Sequence, residues 1–473
     1  MKHRIKAALL ACVLPAAPLA CLADPTSPAS ADTQSAPPAV ADANPFWAIH
    51  VQATDVLQYK PAFRSPYEGA NSLSGAATLN NTVDASFFGG IRPWKGGQVW
   101  VDIDMDQGFA PSNTLGVAGY VNGEGAKVGH HSPYFRPQRY FFRQTIDLGG
   151  DRVKKESDPM VLGTTIDSRR LMVSVGNFTI LDFFDRSANN DDPRRSFFNM
   201  AFMTHASWDF PSDARGYSWG GVAELFWDDW SARIGRITPP QDPNQLPVDF
   251  RITQLYGDEL EIEHDHVLLG EPGAIRLLGY RNRVDTGRFA DAIAAFQSDP
   301  ARFNAAACTG FNYSSGNFNA PDLCWVRRPN VKLGIGLNVE QKITDDVGVV
   351  FRAMYSDGQT EVDAFNAADR SLSLDVVATG PAWRRPFDRA GLGFATSWIS
   401  DVHAQYLAMG GIDGFIGDGR LSWAPEGVAE GFYSFNLLKA IWLSGDYQFL
   451  WNPGYNSARG PVHILGARVH AEF

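Results

Sequence analysis

The chain ends in the sequence PVHILGARVHAEF, residues 461–473. Apolar and polar side chains alternate along this stretch. One face holds Leu465, Ala467, Val469, Ala471 and Phe473, and the other holds Arg468, His470 and Glu472. Because successive side chains of a β-strand point to opposite faces, the pattern predicts a final strand with one apolar and one polar face.

The same two-residue period recurs from about residue 46 to the end of the chain. In 330–343, for example, Val331, Leu333 and Ile335 alternate with polar residues. Segments that contain Gly and Pro separate these alternating stretches. The alternating stretches are typical of strands with one half-buried face. Seventeen candidate strands follow from this period: 47–58, 82–92, 98–106, 138–148, 169–178, 215–227, 230–237, 255–266, 274–284, 330–343, 347–356, 370–380, 390–399, 413–423, 428–437, 440–452 and 461–473.

The connections between the candidate strands alternate in length. Short ones such as 93–97 and 228–229 alternate with long ones such as 179–214 and 285–329. This alternation is typical of an up-and-down transmembrane barrel, which has short turns at one end and long loops at the other. We therefore predict an all-β, transmembrane antiparallel β-barrel. Because bacterial single-chain barrels have an even strand number, we expect sixteen strands, with eighteen as the alternative.

Composition narrows the choice of protein class. A formal net charge of -11 argues against a nucleic-acid binder, which needs clustered Lys and Arg. After residue 23 there is no apolar run near the ~18 residues of a spanning helix, so a polytopic helical membrane protein is excluded. A soluble propeller, sandwich or lectin stays open as an alternative. No break in composition divides the chain after residue 44, which favours a single barrel domain over 45–473.

The N-terminus predicts export. A basic segment, an apolar segment and small residues before Asp24 indicate a signal peptide over 1–23, with a lipidated Cys21 as the alternative. Residues 24–44 are rich in Pro, Ala and Ser and predict a disordered linker. In an exported chain the remaining cysteines, Cys308 and Cys324, are expected to form a disulfide bond.

Export and the alternating last strand together predict the outer membrane of a Gram-negative bacterium. A last strand that ends in phenylalanine is typical of outer-membrane barrels, so we interpret Phe473 as the insertion signal for the barrel-assembly machinery. The outer face of the barrel would contact outer-membrane lipid. The sequence leaves a monomer and a homotrimer open.

Several short segments resemble a known family. Residues 445–473, the motif WRRPFD at 383–388, Asp106-Gln107-Gly108 and the motif DFFD at 182–185 are similar to the carbohydrate-selective outer-membrane porins of the OprB type. The similarity extends over nearly all of 46–473, with a departure at Asp104, where the family pattern has Glu. The resemblance implies a sixteen-stranded barrel through which small sugars, often glucose, diffuse passively.

A sugar-conducting lumen needs groups that bind hydroxyls. An arginine fork can hold two vicinal hydroxyls, and carboxylates accept hydrogen bonds from them. We hypothesise that Arg139, Arg143 and Arg233 oppose Asp102, Asp104 and Glu430 around the passage. Further candidates for the pore lining are Arg170, Arg352, Asp106 and Trp100, the last for stacking on a sugar ring. The alternative is that each of these residues belongs only to a salt-bridge lattice of the lumen wall.

No motif supports enzyme chemistry or a cofactor. Gly216-Tyr217-Ser218-Trp219-Gly220 matches GxSxG, but strand-like alternation continues through it, whereas a nucleophile elbow needs a strand-to-helix turn. His264-x-His266 lacks further ligands at metal spacing. We therefore expect no enzyme activity, metal or cofactor. The functional alternatives are a general or anion-biased porin and an enzyme on a barrel scaffold.

Overall fold

The computed structural model describes residues 45–125, 129–190, 192–308 and 314–473. The signal peptide and nearly all of the linker predicted for 1–44 lie outside these residues. The described residues form a closed barrel of sixteen strands. The strands are β1 Trp47–Lys60, β2 Thr78–Ile91, β3 Gly97–Gly108, β4 His130–Lys155, β5 Thr164–Phe178, β6 Ser218–Trp227, β7 Trp230–Ile237, β8 Tyr256–Leu268, β9 Glu271–Thr286, β10 Arg328–Thr344, β11 Val347–Ser356, β12 Arg370–Thr379, β13 Arg389–Trp398, β14 Glu426–Leu438, β15 Ile441–Trp451 and β16 Val462–Glu472.

Every strand pairs antiparallel with its neighbour in sequence, and β1 closes the barrel by pairing with β16. The register of the closing pair places Gln52 opposite Glu472 and Tyr59 opposite Leu465. Phe473 extends this ladder, since its backbone N–H donates to the carbonyl of Val51 at 2.8 Å. The prediction of sixteen strands is confirmed. Because β1 pairs with β16, the sheet formed by the described residues has no unpaired edge strand.

The two faces of the strands differ as the alternation predicts. On β10, Leu333 and Ile335 are exposed on the outside of the barrel, whereas Lys332 and Asn338 are buried on the inside. The last strand behaves in the same way, with Leu465 outside and Arg468 inside. Only an apolar outer face suits lipid, which cannot satisfy polar groups.

The connections differ in length at the two ends of the barrel. The start of β1, the end of β16 and the short turns lie at one end, and the long loops lie at the other. Helices α1 Met200–Met203, α2 Phe289–Ser298 and α3 Asp401–Ala408 belong to long loops. Short 3-10 turns lie at Pro111–Thr114, Ile180–Asp182, Ala305–Ala307, Leu323–Val326, Gly380–Trp383 and Pro453–Tyr455. Among the described residues, no helix is both long and apolar enough to cross a membrane.

One of the seventeen candidate strands is wrong. Residues 413–423 form turns and irregular structure in the loop before β14, with isolated bridges between Asp413 and Ile416 and between Trp423 and Asn456. Gly414, Gly417 and Gly419 adopt positive φ angles there, which lie outside the range of regular strand residues. The alternation of side chains in this segment therefore comes from a folded loop. The same long-loop end contains the disulfide bond between Cys308 and Cys324.

Strands β4 and β5 are longer than the predicted segments 138–148 and 169–178. Their pairing continues past a register shift at Gly149 and Gly150, which have φ angles of 99° and 87°. Glycine adopts such angles readily, so the ladder can bend at this point. We call residues 149–163 the short-turn hairpin.

Candidate functional site

The loop between β5 and β6, residues 179–217, runs through the inside of the barrel. We call it the inner loop. The guanidinium of Arg352 on β11 donates to the carbonyls of Phe202 at 2.8 Å and Asn190 at 3.0 Å. Glu430 on β14 accepts hydrogen bonds from the backbone N–H groups of Phe198 and Asn199. Since these anchors lie on separated strands, the inner loop must cross the lumen.

Further contacts tie the inner loop to other parts of the wall. Lys332 on β10 pairs with Asp209 at 2.9 Å, and Arg468 on β16 donates to the carbonyl of Ser196 at 2.9 Å. Inside a barrel the backbone groups of a loop have no strand partners, so side chains of the wall must satisfy them. The inward-facing charges therefore hold the inner loop in place.

A cavity of about 270 Å³ lies between the inner loop and the wall. Its lining combines charged and apolar groups. Among the described residues, six arginines and four carboxylates line it: Arg139, Arg186, Arg194, Arg195, Arg215, Arg389, Glu124, Asp158, Asp182 and Asp192. The larger apolar and aromatic side chains of the lining are Phe88, Met160, Leu181, Met200, Met203, Phe210, Tyr217 and Phe365.

Arg139 connects the wall to the inner loop at this cavity. Its Nη1 donates to Oδ2 of Asp102 on the neighbouring strand at 2.7 Å. Its Nε and Nη2 donate to the two carboxylate oxygens of Asp182 at 2.8 and 2.9 Å. A bidentate pair of this kind is strong and directional, so it fixes both side chains at the cavity edge. Asp182 was not among the candidates from sequence.

The carboxylate of Asp192, on the inner loop, lies close to the guanidinium groups of Arg194 and Arg195. It accepts hydrogen bonds from the backbone N–H of Arg194 at 2.9 Å and from its Nε at 3.0 Å. Burial raises the pKa of Asp192, but the guanidinium groups of Arg194 and Arg195 outweigh it and hold the pKa well below its ordinary value. Asp192 therefore stays ionised across the physiological pH range.

Two of the predicted arginines lie in the wall and do not line the cavity themselves. Arg143 donates to Oγ of Ser174 at 3.1 Å and to the carbonyl of Met160 at 2.9 Å. Arg170 packs its guanidinium over the ring of Phe226, 3.7 Å from the centroid. Both side chains have partners within the wall and its hairpin.

Arg233 lies at the centre of a group of three carboxylates on the wall. Its guanidinium pairs with Glu224 at 3.3 Å, Glu261 at 2.9 Å and Glu263 at 2.6 Å. All four side chains are nearly buried. Strands β6 and β8 supply these partners of Arg233, whereas the inner loop donates hydrogen bonds to Glu430.

Three further candidates for the pore lining lie outside the cavity lining. Trp100 is 1% exposed and, unlike Tyr217, does not line the cavity, and its indole N–H donates to Oε1 of Gln98 at 3.0 Å. Arg352 and Glu430 are also 1% exposed and hold the inner loop, as described above. Their strand positions do face inward, but packed segments cover them and separate them from the cavity.

Asp104 and Asp106 are buried on the wall next to Asp102. The hydroxyl of Tyr217 approaches Oδ2 of Asp104 at 3.5 Å, and the amide of Gln138 approaches Asp106 at 3.4 Å. Neither carboxylate lines the cavity. The inner-loop arginines, by contrast, do line it and were missed. The dense run of Asp, Arg and Asn over 182–195 is the sequence feature that could have indicated them.

These observations define a class of protein. A closed sixteen-stranded barrel with a lipid-facing apolar surface, a polar lumen and an inner loop that narrows it is an outer-membrane porin. The chain belongs to the carbohydrate-selective porin, OprB family, whose model matches residues 72–473. Family and fold place it in the outer membrane of a Gram-negative bacterium, as a channel rather than an enzyme.

The fold is similar to that of a solved porin structure. The high-pH structure of Pseudomonas putida OprB matches with a TM-score of 0.63 at 14% identity, over 90% of this chain and 94% of that chain. The outer-membrane channel DcaP of Acinetobacter baumannii matches with a TM-score of 0.45 at 9% identity, over 90% and 97% of the two chains. No curated protein sequence matches the chain.

Proposed function

We propose that this porin passes small, glucose-like sugars down their concentration gradient, and that the cavity beside the inner loop is its constriction. The mixed lining of the cavity carries the proposal. Arginine forks and carboxylates bind hydroxyls as donors and acceptors, so together they match every hydroxyl of a sugar. A volume of about 270 Å³ suits a small solute.

The apolar part of the lining supports the same substrate class. Phe210 and Phe365 stack with ring centroids 4.9 Å apart, and both line the cavity beside Tyr217. A sugar ring has C–H groups on its faces and hydroxyls at its edge. The aromatic groups can therefore contact the faces of the ring while the charged groups bind its edge. In this proposal Tyr217 and Phe365 take the stacking role that the sequence suggested for Trp100.

Liposome swelling tests the substrate class directly. Purified porin in liposomes is expected to admit glucose faster than an amino acid of similar size, and a disaccharide more slowly than glucose. The charged lining favours hydroxyl-rich solutes at the constriction, whereas a pore that selected by size alone would admit glucose and the amino acid at equal rates. Equal rates for glucose and the amino acid would refute a sugar preference.

The Arg139→Gln variant is expected to weaken the block of ion current by glucose about tenfold. Loss of one charge-assisted hydrogen bond corresponds to about 1.5 kcal/mol. Arg276→Gln is the matched control, because Arg276 is a nearly buried, ion-paired wall arginine outside the cavity lining. Equal glucose block in the wild type and the Arg139→Gln variant would remove Arg139 from the sugar site.

An anion-biased porin is the second candidate function. Six arginines against four carboxylates around the cavity favour it. The reversal potential in a KCl gradient separates the two functions. A strong chloride preference together with equal swelling rates for sugars and amino acids would support anion bias, whereas a weak preference together with faster glucose entry would support sugar diffusion.

We also propose that the barrel-assembly machinery recognises the last strand through Phe473. The Phe473 side chain is 74% exposed on the outer face, and the residue joins the barrel through backbone hydrogen bonds with Val51. Its ring is therefore accessible without disturbing the closing strand pair.

A further inference from the structure

The short-turn hairpin folds back into the barrel. Leu162 is completely buried and belongs to the same apolar cluster as Phe88 and Trp100 of the wall. Its backbone N–H donates to Oε1 of Gln98 at 3.1 Å. Most connections at this end of the barrel are too short to reach the lumen, so this hairpin differs from its neighbours in position as well as in length.

Hydrogen bonds connect the tip of the hairpin to the wall. Arg143 donates to the carbonyl of Met160 at 2.9 Å, and Arg92 donates to the carbonyl of Gly163 at 2.9 Å. Ser157 lies within hydrogen-bonding distance of the His50 ring at 3.2 Å. Residues on β1 and β4, together with Arg92 directly after β2, therefore hold the hairpin tip or lie directly beside it.

The hairpin tip reaches the cavity beside the inner loop. Asp158, Pro159 and Met160 line this cavity together with inner-loop residues such as Leu181 and Arg186. The inner loop enters the lumen from the long-loop end, and the hairpin enters from the short-turn end. The cavity is thus bounded by segments from both ends of the barrel.

We propose that the short-turn hairpin is the periplasmic half of the constriction and that the Met160 side chain at its tip limits the size of permeating solutes. Short turns of outer-membrane barrels lie in the periplasm, which places the hairpin on the exit side. This inference rests on the proposed location of the passage at the cavity. It adds a size-determining element to the proposed function, one that the inner loop alone does not supply.

A single introduced thiol tests the proposal. Cys308 and Cys324 are bonded to each other, and Cys12 and Cys21 lie in the predicted signal peptide. In the Met160→Cys variant, a bulky maleimide is therefore expected to react at position 160 and to reduce single-channel conductance in KCl at least twofold, a rough figure for partial occlusion of a narrow pore. Mass spectrometry would verify the labelling.

The matched control is Glu156→Cys. Glu156 is exposed on the same hairpin and does not line the cavity. Labelling there is expected to leave the conductance unchanged. Failure of Met160→Cys to react, or unchanged conductance after complete labelling, would overturn the proposal. A similar loss of conductance in both labelled variants would also overturn it, because the effect would then be unrelated to the cavity.

A second variant removes the side chain. Met160 has a φ angle of 64°, which glycine adopts without strain, so Met160→Gly is compatible with the hairpin conformation. Its conductance is expected to rise roughly 1.5-fold, because the constriction widens. Unchanged conductance would contradict the proposed size limit.

These measurements use KCl alone, so they are independent of the sugar preference. If labelled Met160→Cys loses conductance while Arg139→Gln keeps normal glucose block, the assignment of the sugar site fails and the hairpin remains part of the constriction. If labelled Met160→Cys keeps its conductance while Arg139→Gln weakens the glucose block, the proposed role of the hairpin is rejected and the assignment of the sugar site is retained.

Discussion

The Arg352→Met variant is expected to lower the free energy of unfolding by about 3–5 kcal/mol, because it leaves a buried carboxylate without its cation. Arg352 Nε lies 3.2 Å from Oδ2 of Asp185, and both side chains are almost fully buried. The same guanidinium binds the carbonyls of Phe202 and Asn190. One substitution therefore removes an ion pair and two backbone anchors of the inner loop.

The electrostatics of Asp185 explain the size of this effect. Burial raises the pKa of Asp185, but Arg352, His205 and the hydrogen bonds from Asn338 and Thr204 hold the pKa below its ordinary value. The folded protein therefore stabilises the charged form. When Arg352 is absent, the largest single source of that stabilisation is lost, while the cost of burial stays.

Two measurements check the prediction. Urea unfolding in lipid vesicles gives the free energy, and planar bilayer recordings are expected to show a higher and noisier conductance, because the inner loop is no longer held. A variant with both Arg352→Met and Asp185→Asn is expected to recover part of the stability, since no buried charge is left unpaired. An Arg352→Met protein with wild-type stability and conductance would contradict the anchoring role.

The Arg233→Met variant is expected to show a second large loss, also about 3–5 kcal/mol. It leaves Glu224, Glu261 and Glu263 close together on the wall without the arginine that they share. Arg276 still pairs with Glu263 at 3.3 Å, but the fully buried carboxylate of Glu261 loses its arginine partner. Repulsion among the carboxylates adds to the cost of burying them.

The same strand offers a matched control. Arg236 on β7 pairs with Asp258 at 2.6 Å, but its side chain is 46% exposed. Exposed ion pairs contribute little to the free energy of unfolding, so Arg236→Met is expected to lower it by at most about 1 kcal/mol. Adding Glu261→Gln to Arg233→Met is expected to restore part of the loss. Equal costs for the two arginine variants would show that burial does not determine the contribution of these pairs.

Sequence periodicity determined the architecture of this protein. Alternation along each strand assigns side chains to the outside or the inside of a closed wall, because the period of a strand is two residues. The short and long connections then order the strands and separate the two ends of the barrel. The error at 413–423 arose because alternation alone does not distinguish a strand from a loop whose glycines adopt positive φ angles.

The lining of the cavity was decided by the tertiary structure. Periodicity placed Arg139, Arg352 and Glu430 on the inner face, yet only Arg139 borders the cavity. The other two bind the inner loop, which returns from a distant part of the sequence to cover them. Which inward side chains line the cavity depends on how the inner loop and the short-turn hairpin pack against the wall. Those contacts join residues far apart in the chain, and a local repeat carries no information about them.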